Sequence, residues 1–341
     1  MATQQHERGV PFAMAHEMQQ FRLFELPPEI VELLDAPSPP LLSIKSHAAS
    51  HAPNPPPAYA VLCTPSTTFQ LRQVHTSNSL FITQPAPDTH GNQFPAPLTC
   101  AIASCATTLE LHPSTASAVA LLRDALPVYD LTADDMDATA NGPSMAAVFD
   151  DIPLSHAQCL SAWSDLIAFE LPNGSYRPSA NFLVHAWSAI NAAALAEGVR
   201  LESQFLTDDI TRAVAEEGIP PALIAAILRH LAKEDQQSDM SWSCLDRTRT
   251  ISFVGKTLLE AKPGSDYPIA DFTDTWKDKL PEAWRRDVQL SAIEGTYLSA
   301  TETTIRAKSI GIPVTVQDAT AVANKPSARK WHEKFGKTRK Q

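Results

Sequence analysis

The sequence predicts an α+β protein in which an N-terminal β-rich, barrel-like domain precedes tandem winged-helix domains. Three observations point there. Residues 60–83 read as three short strands joined by two tight turns. Beyond Pro113 the hydrophobic period lengthens from two to about 3.6, the change from strand to helix. An order of short helices followed by a hairpin then recurs along the chain. The expected divisions are a disordered N-terminus at 1–17, the β-rich domain at 18–111, winged helices at 112–179, 180–246 and 247–310, and a linker with a basic tail at 311–341. One irregular helical domain is the competing reading of the second half.

In the front region Phe21 to Leu26 alternates as a strand, Pro27-Pro28 opens a short helix over Glu29 to Leu34, and Leu41 to Lys45 is a further strand. Ala60 to Thr64 is an apolar run closed by a Pro65-Ser66 turn. Phe69 and Leu71 then alternate with Gln70 and Arg72, the period of a half-buried strand. That period slips at Gln73-Val74, which predicts a bulge, and Thr76-Ser77-Asn78 reads as a turn into a third strand at Leu80-Phe81-Ile82. Further strands follow within Leu98 to Leu111.

In the first helical unit, Ser114 or Ser117 can cap a helix that Pro127 terminates. Ser144 and Ser155 cap two more, before a hairpin turning at Asn173-Gly174. The second unit places helices at Ala180 to Ala196, Asp208 to Glu216 and Pro220 to Ala232, then a short apolar Trp242 to Leu245. In the third, Ile251, Val254 and Leu258 share one helix face, Ile269, Phe272 and Trp276 the next. A last helix is expected from about Glu282 to Ile293, with Thr296 to Leu298 and Thr303 to Ala307 as its wing.

Twenty-eight prolines against eleven glycines predict many interrupted segments and small modules. The net charge of −11 does not favour nucleic acid overall, since that affinity comes from Lys and Arg neutralising phosphate. The charge is segregated, however: seven Lys or Arg stand against Glu333 between Lys325 and Gln341, whereas Asp124 to Glu170 is acidic. The five cysteines have no C-x-x-C spacing and read as buried thiols of a reducing compartment. With no apolar leader and no run long enough for a bilayer, the expectation is a nuclear or cytosolic protein without a membrane partner.

Catalytic patterns fail on inspection. Gly255-Lys256-Thr257 resembles the end of a phosphate-binding loop, but position 250 is Thr where that loop needs glycine, and the triplet lies inside a helical pattern. The His-Glu pairs at 6, 16 and 332 are followed at the second metal-ligand position by Val10, Gln20 and Gly336. Asp134-Asp135 and Asp150-Asp151 fall in loops or at helix ends. No enzyme and no cofactor is expected.

The pattern Val61-Leu62-Cys63, a turn, Thr68-Phe69-Gln70-Leu71, then Thr76-Ser77-Asn78-Ser79-Leu80 resembles the sister chromatid cohesion protein DCC family. Weaker echoes are Asp271 to Trp276 leading to Leu280-Pro281-Glu282, and Ser327 to Trp331. The Pro-rich stretch at 46–57 and the link at 309–326 depart from the family pattern. The resemblance implies a nuclear, non-catalytic subunit of the alternative replication factor C clamp loader, acting on the sliding clamp and in sister chromatid cohesion. It further implies that the front domain joins the small transmission-fidelity subunit and the tail of the large one in a composite barrel. Val61, Phe69, Leu71, Leu80 and Phe81 would form the apolar core there. The winged helices would contact DNA, weakly and without base preference, and the catalytic subunit of DNA polymerase epsilon.

Charge selects the DNA candidates. Arg285 and Arg286 begin the last helix of the third unit, Arg306 and Lys308 close its wing, and Arg247 and Arg249 follow the second hairpin. In the first unit only Arg177 is available, beside the acidic Asp165 and Glu170. Arg329, Lys330 and Lys334 in the tail read equally as a duplex contact or a nuclear-import signal. The alternative function is a sequence-specific winged-helix transcription regulator, which would bind one duplex tightly by itself.

Overall fold

The computed structural model describes residues 12–46, 59–85, 99–130, 142–233 and 241–308, with Thr76 described by its backbone alone. In the front half, β1 (Phe12–Met14), β2 (Leu23–Glu25), α1 (Pro28–Leu34), β3 (Ser43–Ser46), β4 (Ala60–Cys63), β5 (Thr68–Pro85) and β6 (Thr99–Pro113) build one curled, half-barrel sheet. Its order is β1-β6-β5-β4-β3, and β2 also lies on β6. Both β1 and β2 run parallel to β6, at Thr99–Ala101 and Thr108–Glu110, while from β3 to β6 each strand is antiparallel to the next. β1 falls in the segment expected to be disordered.

The expected turn at Thr76-Ser77-Asn78 is absent, and the second and third predicted strands are one, β5. That segment has neither Gly nor Pro to turn the chain back, so the strand absorbs its extra residues instead. His75 pairs with Thr107 and Leu80 with Cys105, which leaves residues 76–79 opposite Ala106 alone. The register at Gln73-Val74, where a bulge was expected, is regular. A second shift between Ile82 and Thr83 adds a residue on β6. Such insertions increase local twist, and two of them along one ribbon account for its curl. Behind it Ile30, Leu62, Phe69 and Leu111 form a small core with Leu42 and Leu71 against it.

In the first helical unit α2 (Ala118–Ala125), β7 (Val128–Tyr129), α3 (Met145–Asp151), α4 (His156–Asp165), β8 (Phe169–Leu171) and β9 (Gly174–Pro178) surround Leu122, Phe149, Leu154, Cys159 and Trp163. The serine caps fall where the sequence places them: Ser117, Ser144 and Ser155 each accept from a backbone N–H of the first helical turn, and Ser155 forms a capping box with Gln158. The small sheet runs β7-β9-β8. At its hairpin Gly174 has φ +136°, and a Cβ there would stand 2.7 Å from Gly142 Cα.

The second unit holds α5 (Ala180–Ala196), β10 (Phe205–Leu206), α6 (Thr207–Ala215), α7 (Pro221–Leu231) and β11 (Trp242–Ser243). The third holds α8 (Arg247–Glu260), β12 (Tyr267–Pro268), α9 (Ile269–Asp278), 3-10 helices at Glu282–Asp287 and Leu290–Ile293, β13 (Tyr297–Ser299) and β14 (Thr304–Ala307). The single helix expected over 282–293 is therefore two short turns. Trp284 and Ile293 are both fully buried, yet they are nine residues apart, which at about 100° per residue puts them on opposite faces of an α-helix. Breaking the helix at the extended Val288 and Gln289 lets both enter the core.

One hydrophobic core runs through the second and third units, and buried tryptophans tie them together. Trp187 Nε1 donates to Lys279 O at 2.8 Å, and Trp284 Nε1 donates to Glu202 Oε2 at 2.9 Å, so each unit satisfies an indole of the other. Trp276 Nε1 donates to Ile251 O at 2.9 Å. Its ring lies flat on Gly255, where an added Cβ would stand 2.5 Å from Trp276 Cζ2. Gly255→Ala is therefore expected to destabilise the protein by about 2 kcal/mol through overpacking, although alanine is the better helix former. Denaturant titration checks this, and an unchanged or raised midpoint would contradict the packing.

Candidate functional site

Two surfaces stand out. Among the described residues no group of three His, Cys, Asp or Glu side chains could hold a metal, and no helix is long and apolar enough to cross a membrane. The Gly255-Lys256-Thr257 triplet lies within α8, with Thr257 Oγ1 donating to Phe253 O, and its glycine serves the approach of Trp276.

The first surface is the free side of β5. β4 pairs only with Thr68, Phe69 and Gln70, so from Leu71 to Pro85 the strand has a described neighbour on its β6 side alone. Beyond the bulge Leu80 and Phe81 are 53% and 47% exposed, and the Phe12 and Phe81 rings meet edge-on at 6.4 Å. Of the other residues expected in a shared apolar core, Val61 and Phe69 are buried within the sheet's own packing and Leu71 is half-buried. The strand thus combines a long edge that no described strand covers with exposed apolar side chains, the two requirements for adding a foreign strand.

The second surface is a cleft of about 660 Å³ where the three helical units meet. Arg123 of α2, Arg177 of β9, Arg249 and Lys256 of α8 and Lys308 after β14 line it, with Asp165 and Glu260. Arg177 Nε donates to Arg123 O at 3.1 Å and Arg249 Nη1 donates to Ala232 O at 3.0 Å, which fixes two guanidinium groups in place. Partial burial, and next the Arg123 charge, hold the Arg177 pKa below the usual arginine range. Desolvation likewise pushes the Glu260 carboxyl up, against the pull of Arg123 and Lys256.

The other candidate cations are dispersed. Arg247 is held by Asp287 and by Ala283 O, Arg306 pairs with Asp266 at 2.8 Å, and Arg285 Nε donates to Leu280 O. Arg285 and Arg286 are exposed on the first 3-10 helix rather than at the start of an α-helix. Arg249 and Lys308 are the two of the named set that share the cleft, while Arg329, Lys330 and Lys334 lie outside the described residues. Sequence reasoning missed Arg123 and gave Lys256 no partner. Arg123 lies about 100° round α2 from the buried Leu122, at the edge of its apolar face, and nothing local links it to α8.

His230 borders the same cleft, its Nδ1 donating to Ser164 O at 3.0 Å and its ring 6.0 Å from Phe253. Desolvation lowers its pKa; the Ser164 bond and Asp165 oppose this, while Arg249 and Lys256 reinforce it. A histidine with a depressed folded pKa contributes stability above its unfolded value near 6.5, and that contribution is lost as pH falls through the folded pKa. Melting measured from pH 7 to 5 should therefore fall more steeply in the wild type than in His230→Gln. Parallel curves would remove His230 as the cause.

A search of curated protein sequences returns no significant match. The family model for sister chromatid cohesion protein Dcc1 matches residues 21–329, from just before β2 to beyond β14, and the chain belongs to that family, with a role in sister chromatid cohesion.

Proposed function

We propose that this chain is a nuclear, non-catalytic subunit of the alternative replication factor C clamp loader. It anchors through its half-barrel to the small transmission-fidelity subunit and the tail of the large one, which complete the sheet. Its three helical units are winged helices that tether the loader to the catalytic subunit of DNA polymerase epsilon and, weakly and without base preference, to DNA. Action on the sliding clamp is indirect, through the loader.

The observation that carries the reading is the long β5 edge beyond Gln70, with Leu80 and Phe81 exposed beside it. A sheet edge with apolar side chains in water is an aggregation hazard unless a partner covers it. The first and second units each contribute three helices and a small sheet, and the third two α-helices, two 3-10 turns and a small sheet, close to the content of a winged helix. Engagement of Arg247 and Arg306 by neighbouring carboxylates supports weak rather than tight contact with phosphate.

The test is co-expression with the two transmission-fidelity subunits. Leu80→Glu and Phe81→Glu are expected to lower co-purification at least tenfold, with the melting temperature of the isolated chain held by Leu80→Glu and lowered slightly by Phe81→Glu, whose ring meets Phe12. Full recovery of the complex with both variants would refute the assigned edge.

A further inference from the structure

The cleft between the helical units has chemistry that anchoring to a loader does not use. We infer that it is a binding site for an acidic, phosphorylated peptide of a partner protein, with Arg123, Arg177 and Lys256 receiving the phosphate.

Charge comes first. Five Lys or Arg line the cleft against Asp165 and Glu260, in a protein whose net charge is −11. Among the described residues no ion pair engages the side chains of Arg123, Arg177 or Lys256. Arg177 is turned by its Nε bond to Arg123 O, so its Nη groups form a fixed pair of donors next to a second guanidinium. Like charges held together in a partly desolvated wall repel, and a bound dianion relieves that repulsion; burial first and the Arg123 charge second lower the Arg177 pKa.

Shape and aromatic content choose the ligand. A concave space of about 660 Å³ admits a few residues of extended peptide but not the width of a duplex. Single-stranded nucleic acid is held by bases stacking on exposed aromatic rings. Phe253, the aromatic ring lining the cleft, is 8% exposed and packs against His230. Recognition of a phosphorylated acidic segment by clustered arginines needs no such platform.

Lys256 gives a clean probe because it is exposed on α8 and supports no packing. Anisotropy of the full chain would be measured with a labelled nine-residue acidic peptide carrying two phosphoserines, with its unphosphorylated twin, and with a 20-base-pair duplex. The phosphopeptide is expected to bind at least tenfold more tightly than its twin. Lys256→Glu and Arg123→Glu should each weaken it tenfold or more, Arg306→Glu should leave it unchanged, and Lys256→Arg should restore it. Should Arg123→Glu fail to fold, as circular dichroism would report, the Lys256 pair decides. Equal binding of the twin, tighter binding of the duplex displaced by the same mutations, or no binding by any probe would each overturn the assignment. The half-barrel variants at Leu80 and Phe81 leave this assay untouched, so its failure is distinguishable from failure of the loader reading.

Discussion

The placement of the β5 edge relative to the helices depends on one polar seam between the sheet and the first helical unit. Lys45 Nζ donates to three carbonyls, of Phe149 at 2.7 Å, Ile152 at 3.1 Å and Leu154 at 3.0 Å, around the C-terminal end of α3. An ammonium suits that position: it satisfies carbonyls that the helix leaves without partners and complements the negative end of its dipole. Beside it Thr68 Oγ1 donates to Gln158 Oε1 at 2.6 Å and accepts from Ser155 N at 2.7 Å, while Ala157 N donates to Pro65 O. The first turn of β5 is thereby bonded to the capping box that starts α4. A buried polar cluster of this kind tolerates little displacement, because any group pulled out of it is left unsatisfied.

The seam also sets reach. With Thr68 fixed and Phe69 opposite Pro113, Leu80 stands opposite Cys105, eight residues along β6 and roughly 27 Å further on at the rise of a strand. The open edge is thus carried well clear of the helices by the strand that is most firmly rooted among them. A second kind of joint operates further on. There the second and third units share one apolar core and exchange indole hydrogen bonds, whereas the first keeps its own core around Leu122 and Trp163. The cleft opens where these two cores stop short of each other, and its cations come from both sides of that boundary.

Local signals were read well from the sequence and long-range ones were not. Serine caps, proline stops and apolar period define a helix by neighbours within four residues, and α5 runs from Ala180 to Ala196 as its pattern predicts. The misreadings share a cause in tertiary demand. Residues 76–79 look like a turn until β6 is present to hold them as an inserted bulge, and 282–293 looks helical until Trp284 and Ile293 must enter the same core. The cleft was invisible for a related reason: Arg123, Arg177, Lys256 and Lys308 are far apart in sequence, and only the packing of separate elements brings them together. Gly255-Lys256-Thr257 misled in the opposite direction. Its glycine answers to Trp276 and its threonine to the backbone of Phe253, and the lysine alone faces a surface where it can bind.

Net charge and local charge act over different distances, which reconciles an acidic chain with a cationic cleft. Beyond a Debye length of about 8 Å, a partner senses mainly the negative surface, which repels polyanions and slows their approach. Within the cleft the nearest charges dominate, and low-dielectric walls strengthen them. Recessing arginines among partly buried neighbours therefore narrows the anions that bind to those small enough to enter, and the surrounding carboxylates discourage the rest. The open β-edge discriminates by a different rule, since backbone pairing is indifferent to charge and Leu80 and Phe81 favour apolar strands. On the proposed reading, the two surfaces would not compete for the same ligand chemistry, so both could be occupied at once.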